Sequence, residues 1–379
     1  MRRALAAAAL GVLLAGCAEF PDSGPREWRD KVEGSGELGG PPLVPTPNPP
    51  SPQQPPQSAP GPSGAPQPPS GCVDPDPQVV ATCLNPVGAI AVLPDSVTAL
   101  VAERATGRVL QVRRGVAPVL VTTVPTDTSG GGGLTGLVLS PSYVEDQLLY
   151  AYVTTPTDNR VVRIAAGEPP KPVLTGIPRG ATNNMGALSV DVDGSLLVAT
   201  GDAGRPADPA SLAGKVLRID TLGRPARGNP DPASPVLSSG VRAPGGICTD
   251  PATTMTWVTD RTATQDVLHL LVPGPLPAPA WTWPDRPGVA GCMAQPGVVT
   301  IAQVNAASLF VLRPSDNGAF TGAPETILRG TYGRLWAAAL APDGLLWLGT
   351  VNKDGGNPVP ADDRVIRIQP PSGGGESRA

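Results

Sequence analysis

Histidine is all but missing from this chain, with a single residue, His269, among 379. One imidazole cannot build a multi-histidine metal site, and His269 lies in a strand that recurs along the chain, so no Ser-His-Asp set is credible. Cysteine is sparse as well, five residues without a CxxC pair, which argues against a zinc ribbon. Charged residues make up only 16% and the formal net charge is -4, leaving no basic face for nucleic acid and no acidic tail. Nucleic acid is therefore not an expected partner. With 50 prolines and 46 glycines, little of the chain can be helical, and an all-β class is expected.

What is present begins with an export signal. Arg2 and Arg3 precede an apolar run from Ala4 to Leu13, too short to span a bilayer, and Leu14-Ala15-Gly16-Cys17 fits a bacterial lipobox. Residues 1–17 read as a lipoprotein signal peptide, and Cys17 as the lipid-modified N-terminus of the mature chain. That anchors the protein on the extracytoplasmic face of the cell membrane. Residues 18–71 are dominated by Pro, Ser, Gly and Gln and cannot bury a core. At about 3.1 Å per residue in polyproline conformation, such a spacer reaches on the order of 100 Å. The globular part is expected over 72–370, with 371–379 as a tail. Besides Cys17 there remain Cys72, Cys83, Cys248 and Cys292, an even number in a compartment that permits oxidation. Three pairings are open; Cys72–Cys83 is favoured by closeness in the chain and Cys248–Cys292 by elimination.

From Cys72 onward, short apolar runs alternate with turns, and one strand recurs. It reads GRVLQV from Gly107, NRVVRI from Asn159, GKVLRI from Gly214, QDVLHL from Gln265, ASLFVL from Ala307 and DRVIRI from Asp363, at a spacing of roughly fifty residues. A pair of strands around a turn precedes each copy, as in GALSVDVDGSLLVAT with its Asp193-Gly194 hairpin, and a fourth run follows most of them. Four strands per unit and six units describe a six-bladed β-propeller of four-stranded antiparallel blades. The last unit lacks its outer strand, which a segment near Gln78 to Thr82 could supply, closing the ring and removing two exposed edges.

The stretch from Gly186 to Pro230, GALSVDVDGSLLVATGDAGRPADPASLAGKVLRIDTLGRPARGNP, resembles the signature of the glucose/sorbosone dehydrogenase family of quinoproteins. Further likeness lies in GGGGLTGLVLSPSY, SSGVRAPGG, WTWP and YGRLWAAALAPDGLLWLGT, so that it spans about Pro86 to Ile368. Lipobox, Pro-rich spacer and propeller together are similar to the LppZ-type lipoproteins of actinobacteria. The resemblance implies oxidation of a sugar or polyol with pyrroloquinoline quinone and calcium. It also implies a histidine that takes the substrate's proton and an aspartate that orients it.

Residue by residue, the match is mixed. The family's histidine falls on Asn183, whose carboxamide has no usable basicity, while the aspartate is retained as Asp202. Arg242 and Arg334 match arginines that contact the cofactor, yet their expected companions are Ala243 and Trp336. The loop that helps bind calcium and cofactor reads Arg261-Thr262-Ala263-Thr264, with Asp266 the one acidic remnant, and no metal site is assigned. Asp202 itself, or Asp191, is a candidate alternative base. His269 occupies the strand position of Gln111, Arg163, Arg218 and Arg367 and is expected on a blade surface. DVDG at Asp191 lacks the other ligands of a calcium loop, and Gly130 to Gly133 lacks the lysine of a phosphate loop. Two readings stay open: a propeller that has lost the chemistry and binds a glycan, wall component or protein, which these departures favour, and an active quinone-dependent oxidoreductase.

Overall fold

Six antiparallel sheets follow one another along the chain, and the sixth is completed by the first strand, Val79–Ala81. The computed structural model describes residues 72–372 apart from Pro206. The signal peptide, Cys17, the linker and residues 373–379 of the expected tail lie outside the described residues. Among those described, no helix is long and apolar enough to cross a membrane, and the one α-helix is the single turn Tyr143–Asp146.

Each blade runs outward from the channel. The inner strands are Val87–Val92, Leu134–Leu139, Gly186–Val190, Pro244–Thr249, Val289–Gln295 and Leu335–Leu340. The recurring strand of the sequence is the third of every blade, for example Asn159–Ile164 and Lys215–Ile219. Second strands such as Thr98–Glu103 and Leu149–Thr154 are buried along their whole length, because both faces pack against neighbouring blades. Burial then fades outward, and Val116–Thr123, the outer strand of the first blade, is largely exposed. One addition was not legible: Gly274–Pro275 reaches back to pair in parallel with Ser238 and Ser239 of the third blade.

Closure follows the expectation. Val79 and Ala81 pair with Ile366 and Val365, and Tyr332 Oη donates to Asp76 Oδ2 at 2.7 Å beside them. The Cys72–Cys83 disulfide ties down this closing segment. Cys248–Cys292 joins the inner strands of the fourth and fifth blades, with Cα atoms 5.7 Å apart. Inner-strand glycines let the six strands converge: a Cβ on Gly246 would sit 2.7 Å from Gly291 Cα. A cavity of about 60 Å³ lies among the inner strands, lined by Gly136, Gly246 and Gly291 among others.

Candidate functional site at the channel mouth

In five of the six blades the pairing of inner and second strand slips near the start of the inner strand, at Val87/Ala89, Leu134/Gly136, Pro244/Gly246, Val289/Cys292 and Leu335/Ala337. Such bulges re-aim side chains and end a ladder where a loop must begin. The third blade, which carries Asn183 and Asp202, stays in register from Gly186 to Val190.

Asn183 sits in the left-handed region at φ 56, a conformation asparagine tolerates better than most residues. Its Nδ2 donates to Asp202 Oδ1 at 2.8 Å, and Ala203 N–H donates to its carbonyl. Gly201 makes room for this arrangement, since a Cβ there would lie 1.8 Å from the Asn183 oxygen. Asp202 Oδ1 also accepts the Gly204 N–H at 2.7 Å, a loop-capping bond. The Asp202 N–H in turn donates to the Arg242 carbonyl at 2.8 Å, which joins the third blade to the fourth.

From Arg242 the rim continues around the ring. The backbone N–H groups of Arg242 and Ala243 donate to Asp260 at 2.9 and 2.6 Å, and Arg242 Nη1 donates to the Arg261 carbonyl at 3.2 Å. Arg261 lies over the Trp336 ring, 5.2 Å from its centroid, with Nη2 2.5 Å from Met185 Sδ. Arg334, two residues before Trp336, is fixed by its N–H to Asn352 Oδ1 at 2.7 Å and packs its stem on Gly356. Asp354, on the same loop as Gly356, pairs with Arg104, whose Nη1 donates to the Gly132 carbonyl at 2.8 Å. The glycine run is held against Asn184, neighbour of Asn183: its N–H donates to Gly130 O and its Nδ2 to Ser129 O. The circle is closed.

Charge is the dominant property of this rim. Among the described residues Arg242, Arg261 and Arg334 form no ion pair, whereas Arg108, Arg218 and Arg364 elsewhere do. Burial pushes the Arg261 guanidinium below its ordinary value; Arg104 and Arg242 add to that push, and Asp266 and Asp260 oppose it. The Nε atoms of Arg104, Arg261 and Arg334 are buried without a hydrogen-bond partner. Burial drives the Asp260 carboxyl up despite the two N–H groups that favour its ionised form.

The structure brings Asn183, Asp202, Arg242 and Arg334 to one mouth and separates other candidates from it. Asp191 is at the opposite end of its inner strand, ion-paired with Arg218 at 2.7 Å, and is no base for this site. Asp266 accepts the Gly288 and Val289 N–H groups at 2.6 and 3.1 Å and ties the fourth blade to the fifth. His269 is buried rather than on a blade surface, at 6% exposure. The segment after it folds back through Gly274–Pro275 and packs Leu271 and Leu276 against that face. Its Nε2 is 4.0 Å from Asp260 Oδ2, and burial lowers its pKa, which favours neutral imidazole.

Arg104, Arg261, Met185 and Trp336 are the rim residues the sequence did not present as one site. A signal existed: Arg104 and Arg261 each follow an acid, Glu103 and Asp260, that pairs with the first residue of its inner strand. The larger cavities lie elsewhere. One of about 670 Å³ flanks the closing strand and is lined by Val79, Ala81, Arg114 and Val116, among others, with none of the motif residues. Another of about 400 Å³ forms an apolar well at the far end of the channel. Among the described residues no group of three or more His, Cys, Asp or Glu side chains converges to hold a metal ion.

Comparison with known proteins agrees with this geometry. Residues 84–276 match the family model described as Glucose / Sorbosone dehydrogenase. The PQQ-bound aldose sugar dehydrogenase of Streptomyces coelicolor is 33% identical, with 77% of this chain and 96% of that one covered and a TM-score of 0.71. A putative oxidoreductase (glucose dehydrogenase) of Thermus thermophilus is 31% identical over 76% of this chain and 98% of its own, at a TM-score of 0.70. The soluble aldose sugar dehydrogenase of Escherichia coli, 18% identical over 77% and 99% of the two chains at a TM-score of 0.66, shares the fold. Among curated proteins no match is found. A six-bladed ring, a family match over half its length and two relatives above 30% identity together establish that this chain belongs to the glucose/sorbosone dehydrogenase family.

Proposed function

We propose that this protein is a lipid-anchored propeller on the extracytoplasmic face of a bacterial cell membrane whose channel mouth binds a saccharide, as part of a glycan or wall component, without oxidising it. The anchor rests on Arg2, Arg3, the short apolar run and the lipobox ending at Cys17, and the standoff from the membrane on the Pro-rich residues 18–71. One observation carries the binding reading: Asp202 orients the carboxamide of Asn183 where the family resemblance implies an imidazole. An amide donates and accepts hydrogen bonds but takes no proton near neutral pH. The chain's one histidine is buried in a third strand, against Asp260.

Pyrroloquinoline quinone, named with the Streptomyces relative, supplies a hydride acceptor when bound. The residues here fit it poorly. Arg242 and Arg334 suit its carboxylates, but Ala243 and Trp336 replace implied contacts and Arg261 stands in the loop implied for calcium. No catalytic step follows from these groups.

The test is full-length protein supplied with pyrroloquinoline quinone, calcium, an electron-accepting dye and a panel of aldoses. The expected result is saccharide binding by calorimetry with no dye reduction; sustained turnover by the unmodified protein overturns the proposal. The 33% identical relative solved with PQQ favours a second reading, quinone-dependent oxidation of a sugar or polyol. Asn183→His bears on it: dye reduction gained only in the variant identifies a site that has lost its base.

A further inference from the structure

We propose that the flank of the propeller where the ring closes beds into a bilayer of anionic phospholipid, with Arg113 and Arg114 at the phosphates and Val116, Val119 and Leu120 among the acyl chains. This rests on the proposed placement of the chain at a cell membrane and adds which face of the propeller meets that membrane.

An unprotected strand edge sets the first blade apart from the others. Val116–Thr123 is eight residues long, carries no charged side chain and is largely exposed. Edge strands are ordinarily blunted by charge, by covering or by brevity. The second blade's Lys171–Ile177 opens on Lys171, ion-paired with Glu168, and the fifth blade's Glu325–Ile327 on Glu325, paired with Arg313. Val236–Ser239 is covered by Gly274–Pro275, and Trp281–Trp283 has three residues. Exposed hydrophobics concentrate on the same flank. Val116, Val119 and Leu120 are each more than half exposed, and Val73 and Val97 are exposed beside the cavities that adjoin them. Of nine large exposed hydrophobics among the described residues, these are five, and such clustering marks an interaction surface where scattered exposure does not.

Two cavities join these residues to the basic pair. One of about 670 Å³ is lined by Val73, Val80, Arg114, Val116 and Pro118, among others, and one of about 450 Å³ by Val80, Val97, Arg113, Arg114 and Trp347, among others. Arg114 and Val80 belong to both. Arg113 and Arg114 sit at the turn that leads into the exposed strand, and neither forms an ion pair among the described residues. Asp95 is within electrostatic reach of Arg113 but caps the Val97 and Thr98 N–H groups; Glu103 pairs with Arg108 and Asp343 with Arg367. Apolar side chains beside unpaired guanidinium groups match the bilayer interface, where acyl carbons lie beneath phosphates. The tether enters on the same side: Cys72 and Val73, the first described residues, line the larger cavity. Held near the bilayer by an anchor, such a patch needs only modest affinity of its own.

Sedimentation with vesicles tests this on the mature chain without its lipid, residues 18–379, using phosphatidylcholine alone and phosphatidylcholine mixed with phosphatidylglycerol. Binding is expected to the phosphatidylglycerol vesicles, weakening as ionic strength rises. Arg113→Gln with Arg114→Gln should lower that affinity roughly thirtyfold, and Val119→Ser with Leu120→Ser about tenfold or more. Arg205→Gln with Arg329→Gln removes the same charge from exposed residues elsewhere and should change it less than about twofold. An unchanged thermal midpoint establishes that each variant is folded. Equal binding to both vesicle types, no binding by the native sequence, or variants of the flank that bind as tightly as it does would each overturn the proposal. An equal loss in the Arg205 and Arg329 pair would do the same, since net charge alone would then explain the binding. Lipid on Cys17, read by mass spectrometry of the cell-derived protein, decides the anchor reading independently of these outcomes.

Discussion

Asp202 and Asn183 are joined by a single hydrogen bond of 2.8 Å, from the amide Nδ2 to the carboxylate Oδ1. Asp202 thus holds in one orientation a carboxamide that stands where the family resemblance implies a base. The same Oδ1 accepts the Gly204 N–H, which makes Asp202 a structural member of its loop as well.

The bond is measurable by a double-mutant cycle. Asp202→Ala and Asn183→Ala should each lower stability by about 1–2 kcal/mol, and the pair together by less than their sum, since each removes the same contact. Chemical denaturation of the four proteins reads the coupling. Strict additivity would mean that the two side chains act independently.

Gly201 is predicted to tolerate no side chain. A Cβ there would meet the Asn183 carbonyl at 1.8 Å and the Met185 carbonyl at 3.0 Å, both backbone atoms that cannot swing aside. Gly201→Ala should cost on the order of 3 kcal/mol and displace Asn183. Gly344, at φ 80 with open space around its Cβ position, should cost only about 1 kcal/mol as alanine. Urea midpoints of the two variants compare them directly.

Stability should depend on pH through two carboxyls with opposite signs. Burial pushes Asp363 up to about 6 from 3.8, against hydrogen bonds from Asn352 N–H and Thr350. It is protonated in the fold while still ionised in the unfolded chain, so its contribution is full below 3.8 and is lost as pH rises through about 6. Burial also raises Glu103, but bonds from Arg108, the Asn85 N–H and Thr106 outweigh it and hold the group at about 2. The Glu103 contribution is present above 4.5 and lost as pH falls through about 2. Denaturation midpoints across pH 2–7 should lose the upper decline in Asp363→Asn and the acid-side loss in Glu103→Gln.

Replacing Cys248 and Cys292 together by alanine should lower stability by up to about 4 kcal/mol, the loop-closure value for their separation of 44 residues. The thermal midpoint of the variant, compared with that of the native chain, reads the loss. An unchanged midpoint would show that close packing of the two inner strands, not the cross-link, holds the fourth and fifth blades together.

Much of the architecture was written locally. Alternation within each run, turn residues such as Asp193 and Gly194, and six copies of one strand specify the blades, because strand and hairpin formation depend on neighbours in the chain. The closing segment near Val79 and both disulfides followed from a missing outer strand and a short cysteine list. Asn183 and Asp202 were legible for the same reason, lying on two loops of one blade. What sequence could not decide was position around the ring. Asp191, only eight residues from Asn183, ends at the opposite rim because a strand carries the chain about 3.3 Å further per residue. His269 shares a register with the half-buried Arg163, Arg218 and Arg367, yet it is buried where the chain leaves the fourth blade to pair Gly274–Pro275 with the third. Arg104 and Arg261 lie in different blades and come within electrostatic reach of each other only because closure turns the ends of distant second strands toward one axis. Their shared positive charge belongs to the ring, since a field summed over side chains exists only once the backbone has set their distances.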